Sequence, residues 1–171
     1  MPDEPVREGG CPCGQVRFQA RGKPTNVRIC HCRLCQKAMS SPFFARALYP
    51  IDQVSVTGTT ARFASSPALQ RVFCPTCGTR VMAERAEAKR IGVALALFDD
   101  PAGLSPECHV FVASKAPWVR INDDLPQYPE SAEVTCRRLP CRRSRPLTPG
   151  AMASSRELFD LCLDSRRSNW P

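Results

Sequence analysis

Residues 30–35 read Cys30-His31-Cys32-Arg33-Leu34-Cys35. Three thiols within six residues are too close along the chain for a set of mutual disulfides, and they predict a metal site, with zinc as the ion. Residues two apart on an extended backbone face the same side, so Cys30 and Cys32 should share a face while His31 points away. Three thiolates leave a tetrahedral ion one ligand short, which is typical of a catalytic zinc.

The missing fourth ligand allows two interpretations. In the first, the site keeps an open position that accepts a thiol, and His31 is the first candidate for the group that moves a proton there. In the second, Cys108 or His109 completes a closed, purely structural site. The spacing is compatible with both.

Two other cysteine pairs complete the pattern. Cys74-Pro75-Thr76-Cys77-Gly78 is a Cys-x-x-Cys turn, which aims two thiolates at one ion and ends in a glycine that tolerates positive φ. The main rival interpretation, redox chemistry, needs a βαβ context that the sequence does not offer. Cys11-Pro12-Cys13-Gly14 supplies two further thiols, and the two pairs together predict a closed structural site of four cysteines.

The segments between the cysteines predict a mostly β body. Alternating or short apolar runs favour strands at 16–20, 27–30, 43–48, 54–57 and 69–73, with 59–63 as the hairpin partner of 54–57. The longest apolar run, 91–98, is predicted as one buried strand, and 109–113 as the last strand. Residues 33–39 favour a short helix or a turn. We therefore expect an all-β body with short helices.

Composition and charge bound the function. The chain has 171 residues and eleven cysteines, and no apolar run approaches the ~20 residues of a membrane span. Its acidic, proline-rich start is unlike a signal peptide, so we expect a cytoplasmic protein without a membrane partner, whose thiols are reduced and bind metal.

The net charge is distributed unevenly. It is +8 overall, and residues 134–171 contribute +5 of it. We predict a leader at 1–8, one zinc-binding domain at 9–130, and a basic Pro/Arg-rich, poorly ordered tail at 131–171 with room for a short helix at 154–164. A non-catalytic zinc module that uses this tail on nucleic acid or protein is the alternative function, and a solvated tail is favoured over it.

Three motifs together resemble one known family. Gly10-Cys11-Pro12-Cys13-Gly14-Gln15-Val16-Arg17-Phe18, the three-cysteine segment with Gln36-Lys37, and Phe73-Cys74-Pro75-Thr76-Cys77-Gly78-Thr79 are similar to the glutathione-dependent formaldehyde-activating family, also called the GFA or centromere protein V domain. The stretches 97–101, 106–111, 115–118 and 123–128 extend the resemblance in order over about residues 9–130.

The resemblance implies a fold, two ions and a reaction. The fold is Mss4-like and mostly β. A structural zinc is held by Cys11, Cys13, Cys74 and Cys77, and a catalytic zinc by Cys30, Cys32 and Cys35. The implied activity is that of a carbon–sulfur lyase running in the synthetic direction, in which small-molecule partners, glutathione and formaldehyde, form S-(hydroxymethyl)glutathione.

The sequence departs from the family pattern in one place. After the three-cysteine motif the family commonly has Ser-Gly, where this chain has Met39-Ser40, so we expect an altered turn beside the metal. Four cationic side chains could bind an anionic substrate there, although solvated surface charges are the favoured interpretation: Arg17, Arg33, Lys37 and Arg71.

Overall fold

The computed structural model describes residues 5–132, which belong to one compact unit. This part of the chain is mostly β, as predicted, with one α-helix. The strands are β1 Val6–Gly10, β2 Arg17–Arg21, β3 Asn26–Cys30, β4 Phe44–Pro50, β5 Val54–Thr57, β6 Ala61–Ser66, β7 Leu69–Phe73, β8 Arg80–Arg85, β9 Arg90–Ala94, β10 Cys108–Val110 and β11 Gln127–Tyr128, and the helix is α1 Arg33–Met39.

Eight strands form one sheet in the order β11-β10-β3-β4-β9-β8-β7-β6. The short strand β10 pairs in parallel with β3 and with β11, and the remaining neighbours are antiparallel. This order sets β10 beside β3, although 77 residues lie between Cys30, the last residue of β3, and Cys108, the first residue of β10. Residues distant in sequence therefore meet at the three-cysteine segment.

The hairpin predicted between 54–57 and 59–63 is wrong. Strand β5 pairs with β2, in the three-stranded sheet β1-β2-β5, and β6 pairs with β7. The turn between them is set by Gly58, whose φ is +87° and where an added Cβ would lie 1.8 Å from the Gln15 carbonyl oxygen. Gly58 packs directly against the loop that precedes β2, which is consistent with the pairing of β5 with β2.

Two predicted strands are shorter than expected. The run 91–98 is strand β9 up to Ala94, followed by a 3₁₀ turn over Leu95–Leu97. This turn lifts Phe98 off the sheet, and its ring packs edge to face on Phe18 at a centroid distance of 5.1 Å. Strand β10 ends before Phe111, whose φ of +58° takes the chain out of the sheet.

The main core lies between the two sheets. Strands of both contribute side chains that are almost fully buried: Val16, Phe18, Ala20, Val27, Ala47, Tyr49, Val72, Met82, Ile91 and Val93. The opposite face of the eight-stranded sheet therefore does not belong to this core, and it carries Cys30.

Some predictions concern the ends of the chain. Strand β1 begins at Val6, inside the segment 1–8 predicted as a leader, because it pairs with β2 along its whole length. The tail beyond residue 132, with the helix predicted at 154–164, lies outside the described residues. Within those residues, no helix has both the length and the apolar character needed to cross a membrane.

Candidate metal centres

The first centre is built by two similar turns. Cys11 and Cys13 lie between β1 and β2, and Cys74 and Cys77 lie between β7 and β8. In each turn the amide of a glycine donates to the carbonyl of the first cysteine, Gly14 to Cys11 at 3.0 Å and Gly78 to Cys74 at 2.9 Å. Both glycines have φ near +75°. This backbone conformation is unfavourable for residues that carry a side chain.

The four sulfurs fit a tetrahedral zinc ion. They all lie within 4.8 Å of one another, with 3.4 Å between Cys11 and Cys13 and 3.6 Å between Cys13 and Cys74. A tetrahedral ion with Zn–S bonds of ~2.3 Å holds its sulfurs about 3.8 Å apart. A disulfide needs about 2.05 Å, so these distances exclude a bond between the sulfurs and are compatible with a shared ion.

Hydrogen bonds favour the thiolate form of Cys11 and Cys77 in this centre. The Val16 amide donates to Cys11 Sγ at 3.2 Å. The hydrogen bond between Thr79 and Cys77 lowers the pKa of the Cys77 thiol to about 6, so Cys77 is mostly ionised at neutral pH. Ionised sulfur is the form that binds zinc.

The second centre has three thiols. Cys30 ends strand β3, Cys32 caps the N-terminus of α1, and Cys35 lies in its first turn, where its amide donates to Cys32 Sγ at 3.3 Å. Their sulfurs also lie within 4.8 Å of one another. Hydrogen bonds from Cys30 and Cys35 lower the pKa of the Cys32 thiol to about 2, and the same interaction with Cys32 raises the pKa of Cys30.

No further ligand joins these three sulfurs within residues 5–132. His31, Cys108 and His109 all lie outside the cluster. This placement does not support the interpretation in which Cys108 or His109 closes the site. Among the described residues, the second centre therefore has three protein ligands, against four in the first.

His31 belongs instead to a buried chain of hydrogen bonds. Its Nε2 lies 2.8 Å from His109 Nδ1, and His109 Nε2 lies 3.0 Å from an oxygen of Asp123. The hydrogen bond to His109 lowers the pKa of the Asp123 carboxyl, which as a carboxylate only accepts. His109 therefore donates to Asp123 and accepts from His31, and the lone pair of the neutral His31 ring sits on Nδ1.

His31 Nδ1 is buried and has no hydrogen-bond partner among the described residues. Burial, together with the nearby His109, lowers the pKa of the His31 ring and so favours its neutral form. The His31 carbonyl accepts from Gln36, which also donates to Ser114 and so holds the start of α1 against the loop after β10. Sequence reasoning missed His109 and Asp123 as partners of His31, because they meet only through the parallel pairing of β10 with β3.

The departure at Met39-Ser40 has a structural consequence. Ser40 ends α1 in the left-handed conformation, with φ +48° and ψ +40°, at the position where the family commonly has glycine. We predict that Ser40→Gly stabilises the protein by up to about 1 kcal/mol, because glycine adopts this conformation without the Cβ clash. Thermal unfolding checks this, with Ser40→Ala as the control that should bring no gain. A lower melting temperature for Ser40→Gly than for Ser40→Ala would contradict it.

The four predicted anion-binding candidates separate in the structure. Arg17 forms an ion pair with Asp99, and Arg33 and Lys37 are exposed on α1, where Arg33 contacts Gln36. Arg71 differs from them because only 8% of it is exposed. The expectation of a solvated surface charge is therefore wrong for Arg71.

The fold and the two thiol clusters define a mostly β protein with two candidate metal centres built from cysteine. Residues 6–114 match the family described as "Glutathione-dependent formaldehyde-activating enzyme", and the chain belongs to this family. The resemblance of the three cysteine motifs is thereby confirmed.

Two individual proteins are similar to this chain. A protein of Schizosaccharomyces pombe (strain 972 / ATCC 24843), described as an uncharacterized lyase, is 35% identical over 75 residues, which are 44% of this chain and 55% of that protein. The chain thus spans about half the length of this relative. A crystal structure of a Rhodobacter sphaeroides protein superposes with a TM-score of 0.46 and 21% identity, covering 58% of this chain and 91% of the other.

Proposed function

We propose that this chain is a zinc-dependent lyase-type enzyme that adds a thiol such as glutathione to a small aldehyde such as formaldehyde. Membership of the GFA family and the lyase description of the yeast relative support this class of reaction. The observation that carries the proposal is the unequal ligand count, four thiols in one cluster and three in the other. Cys11, Cys13, Cys74 and Cys77 would hold a structural ion, and Cys30, Cys32 and Cys35 a catalytic one.

A zinc ion with three thiolate ligands supplies an open position at which an incoming thiol loses its proton at neutral pH. The reaction itself forms one C–S bond and breaks the π bond of the carbonyl group. The proton of the thiol ends on the carbonyl oxygen, so neither an oxidant nor a reductant is needed. The chain must therefore supply a group that takes up one proton and returns it.

We assign this proton transfer to His31. Its Nδ1 is a buried acceptor with no partner among the described residues. In the sequence, His31 lies directly between Cys30 and Cys32. Asp123 and His109 hold the ring in the tautomer that leaves this nitrogen unprotonated. Asp123 and His109 are thus positioning residues that act through His31.

The reaction is tested with the full chain loaded with zinc. Exchange between free glutathione with formaldehyde and S-(hydroxymethyl)glutathione is followed by NMR, and the rate is compared with the uncatalysed exchange. A rate that rises in proportion to the protein concentration supports the proposal. Exchange at the uncatalysed rate, with both centres loaded, would reject these substrates.

We predict that Asp123→Asn lowers turnover by roughly ten- to a hundredfold, because it no longer fixes the tautomer of His109 and, through it, that of His31. The pH–rate profile should change as well, which a purely structural effect would not produce. Asp124→Asn, at the neighbouring position, is the control that should keep wild-type turnover. Wild-type rates and an unchanged pH profile for Asp123→Asn would rule out the relay.

A further inference from the structure

Arginines occupy the face of the eight-stranded sheet that carries the Cys30 thiol. Arg28 lies two residues before Cys30 on β3, and it pairs directly with Arg46 on β4. Residues two apart on a strand, and residues paired across strands, share a face. Arg28 and Arg46 therefore lie on the same side of the sheet as Cys30, opposite the main core.

The same face continues across β9 and β8 over small residues. A Cβ added to Gly92 would lie 3.1 Å from Arg46 Cδ, so the stem of Arg46 runs over this glycine. Gly92 pairs with Ala83, and Ala83 pairs with Arg71. Arg71 thus lies on the same face as Arg46, across a floor of glycine and alanine.

Arg80 reaches back over this floor toward the thiols. It pairs with Phe73, two residues after Arg71, and the centre of its guanidinium lies 4.4 Å from the centroid of the Phe44 ring. Phe44 is the direct partner of Cys30 across β3 and β4. The guanidinium of Arg80 is therefore next to the three-cysteine centre.

Arg71 and Arg80 have no acidic partner among residues 5–132. Within residues 5–132 the ion pairs are Arg17–Asp99, Arg62–Glu84 and His109–Asp123, and none includes Arg46, Arg71 or Arg80. Nη1 of Arg71 and both Nε and Nη1 of Arg80 are buried without a hydrogen-bond partner in this part of the chain. Burial and the nearby Arg71 lower the pKa of Arg80 to about 10.

The thiol cluster does not compensate this charge. Three thiolates around one divalent ion carry a net charge of about −1, against the three cations Arg46, Arg71 and Arg80. Burying a guanidinium with unmade hydrogen bonds is costly unless an anion provides the acceptors. The planar fork of arginine matches the two oxygens of a carboxylate.

We propose that Arg71 and Arg80 bind a carboxylate of the substrate thiol, beside the three-cysteine centre. This inference rests on the proposed function and adds to it two residues that would recognise the carboxylate of a thiol such as glutathione. The sulfur of such a molecule reaches the catalytic centre while its oxygens accept hydrogen bonds from the two guanidinium groups.

The test compares two thiols of the same length, 3-mercaptopropionate and 3-mercaptopropionamide, by calorimetric titration of the zinc-loaded full chain. We expect the acid to bind at least roughly tenfold more tightly than the amide, because hydrogen bonds to a charged group contribute this much to affinity. Arg71→Gln should remove this preference and leave the affinity for the amide unchanged. Equal affinity of the wild-type protein for both thiols would overturn the proposal.

Control variants separate binding from a structural role. Arg62→Gln removes an exposed arginine whose strand partner Val72 lies in the main core, so the preference should stay. The melting temperature of the ligand-free protein should not fall on Arg71→Gln, because an unpartnered buried charge does not stabilise it. If Arg71→Gln does not fold, Arg80→Lys replaces it as the test. This variant keeps the charge but loses the planar fork of the guanidinium, so it should weaken binding of the acid and leave binding of the amide unchanged. An unchanged preference in the folded variant would refute the subsite.

A further arm adds inorganic phosphate as a competitor. Weaker binding of the acid with unchanged binding of the amide supports an oxyanion subsite, and equal weakening of both contradicts it. No aldehyde is present in these titrations, so the two proposals fail separately. A carboxylate preference without turnover rejects the reaction and keeps the subsite, whereas turnover without the preference does the opposite.

Discussion

Cys74→Ser is expected to leave the protein largely unfolded at 37 °C. Cys74 is fully buried and belongs to the four-thiol cluster that joins the β1–β2 turn to the β7–β8 turn. A structural zinc contributes free energy on the order of 10 kcal/mol to folding, and a whole domain is stable by only about 5–15 kcal/mol. Loss of this centre therefore removes an amount comparable with the total stability.

Circular dichroism and the dispersion of amide signals in NMR spectra check this result. Thr76→Ala is the matched control, because Thr76 lies exposed in the same turn but offers no sulfur. A chelator added to the wild-type protein should reproduce the effect of Cys74→Ser. A variant that melts within a few degrees of the wild type with both ions bound would show that the cluster is not structural.

Cys35→Ser is expected to abolish turnover and to leave the fold intact. The three-thiol centre lies at the end of β3 and on α1, apart from the two turns of the four-thiol centre. Replacing one of only three ligands weakens the binding of zinc and the activation of the substrate thiol. We therefore expect the catalysed rate to fall by at least a hundredfold. The zinc content should fall from two ions per chain toward one.

Leu34→Ala is the control for this variant, because Leu34 is the neighbour of Cys35 on α1 and 64% exposed. It should keep both the rate and the zinc content. Thermal unfolding distinguishes the two cysteine variants, since only Cys74→Ser should lose the cooperative transition. Full turnover with glutathione and formaldehyde by Cys35→Ser would reject a catalytic role for this centre.

The sequence predicts the clusters better than it predicts the strand partners. Cysteines two or three residues apart converge on one ion through local geometry, so the spacing identifies both sets of ligands. Alternation identifies β5 as a strand but carries no information on whether β2 or β6 lies beside it. In the folded chain Gly58 packs against the Gln15 carbonyl, a contact between residues distant in sequence that the local pattern cannot predict.

Long-range pairing also explains what was missed around His31. Alternation places His31 away from the thiols, but His109 is 78 positions further along the chain, so the local pattern does not show the hydrogen bond that joins their rings. The burial of Arg71 has the same origin. Its strand suggests a surface charge, and only the register of β7, β8 and β9 places it across from Arg46 on the face that carries Cys30.

X-ray absorption at the zinc edge, combined with the zinc content of the full wild-type chain, tests the central claim most directly. We predict two ions per chain with about 3.5 sulfur ligands on average, four at one and three at the other. Addition of 3-mercaptopropionate should raise this average to about four, as the thiol takes the open position. Four protein ligands on both ions before the thiol is added, or no change on its addition, would contradict the account.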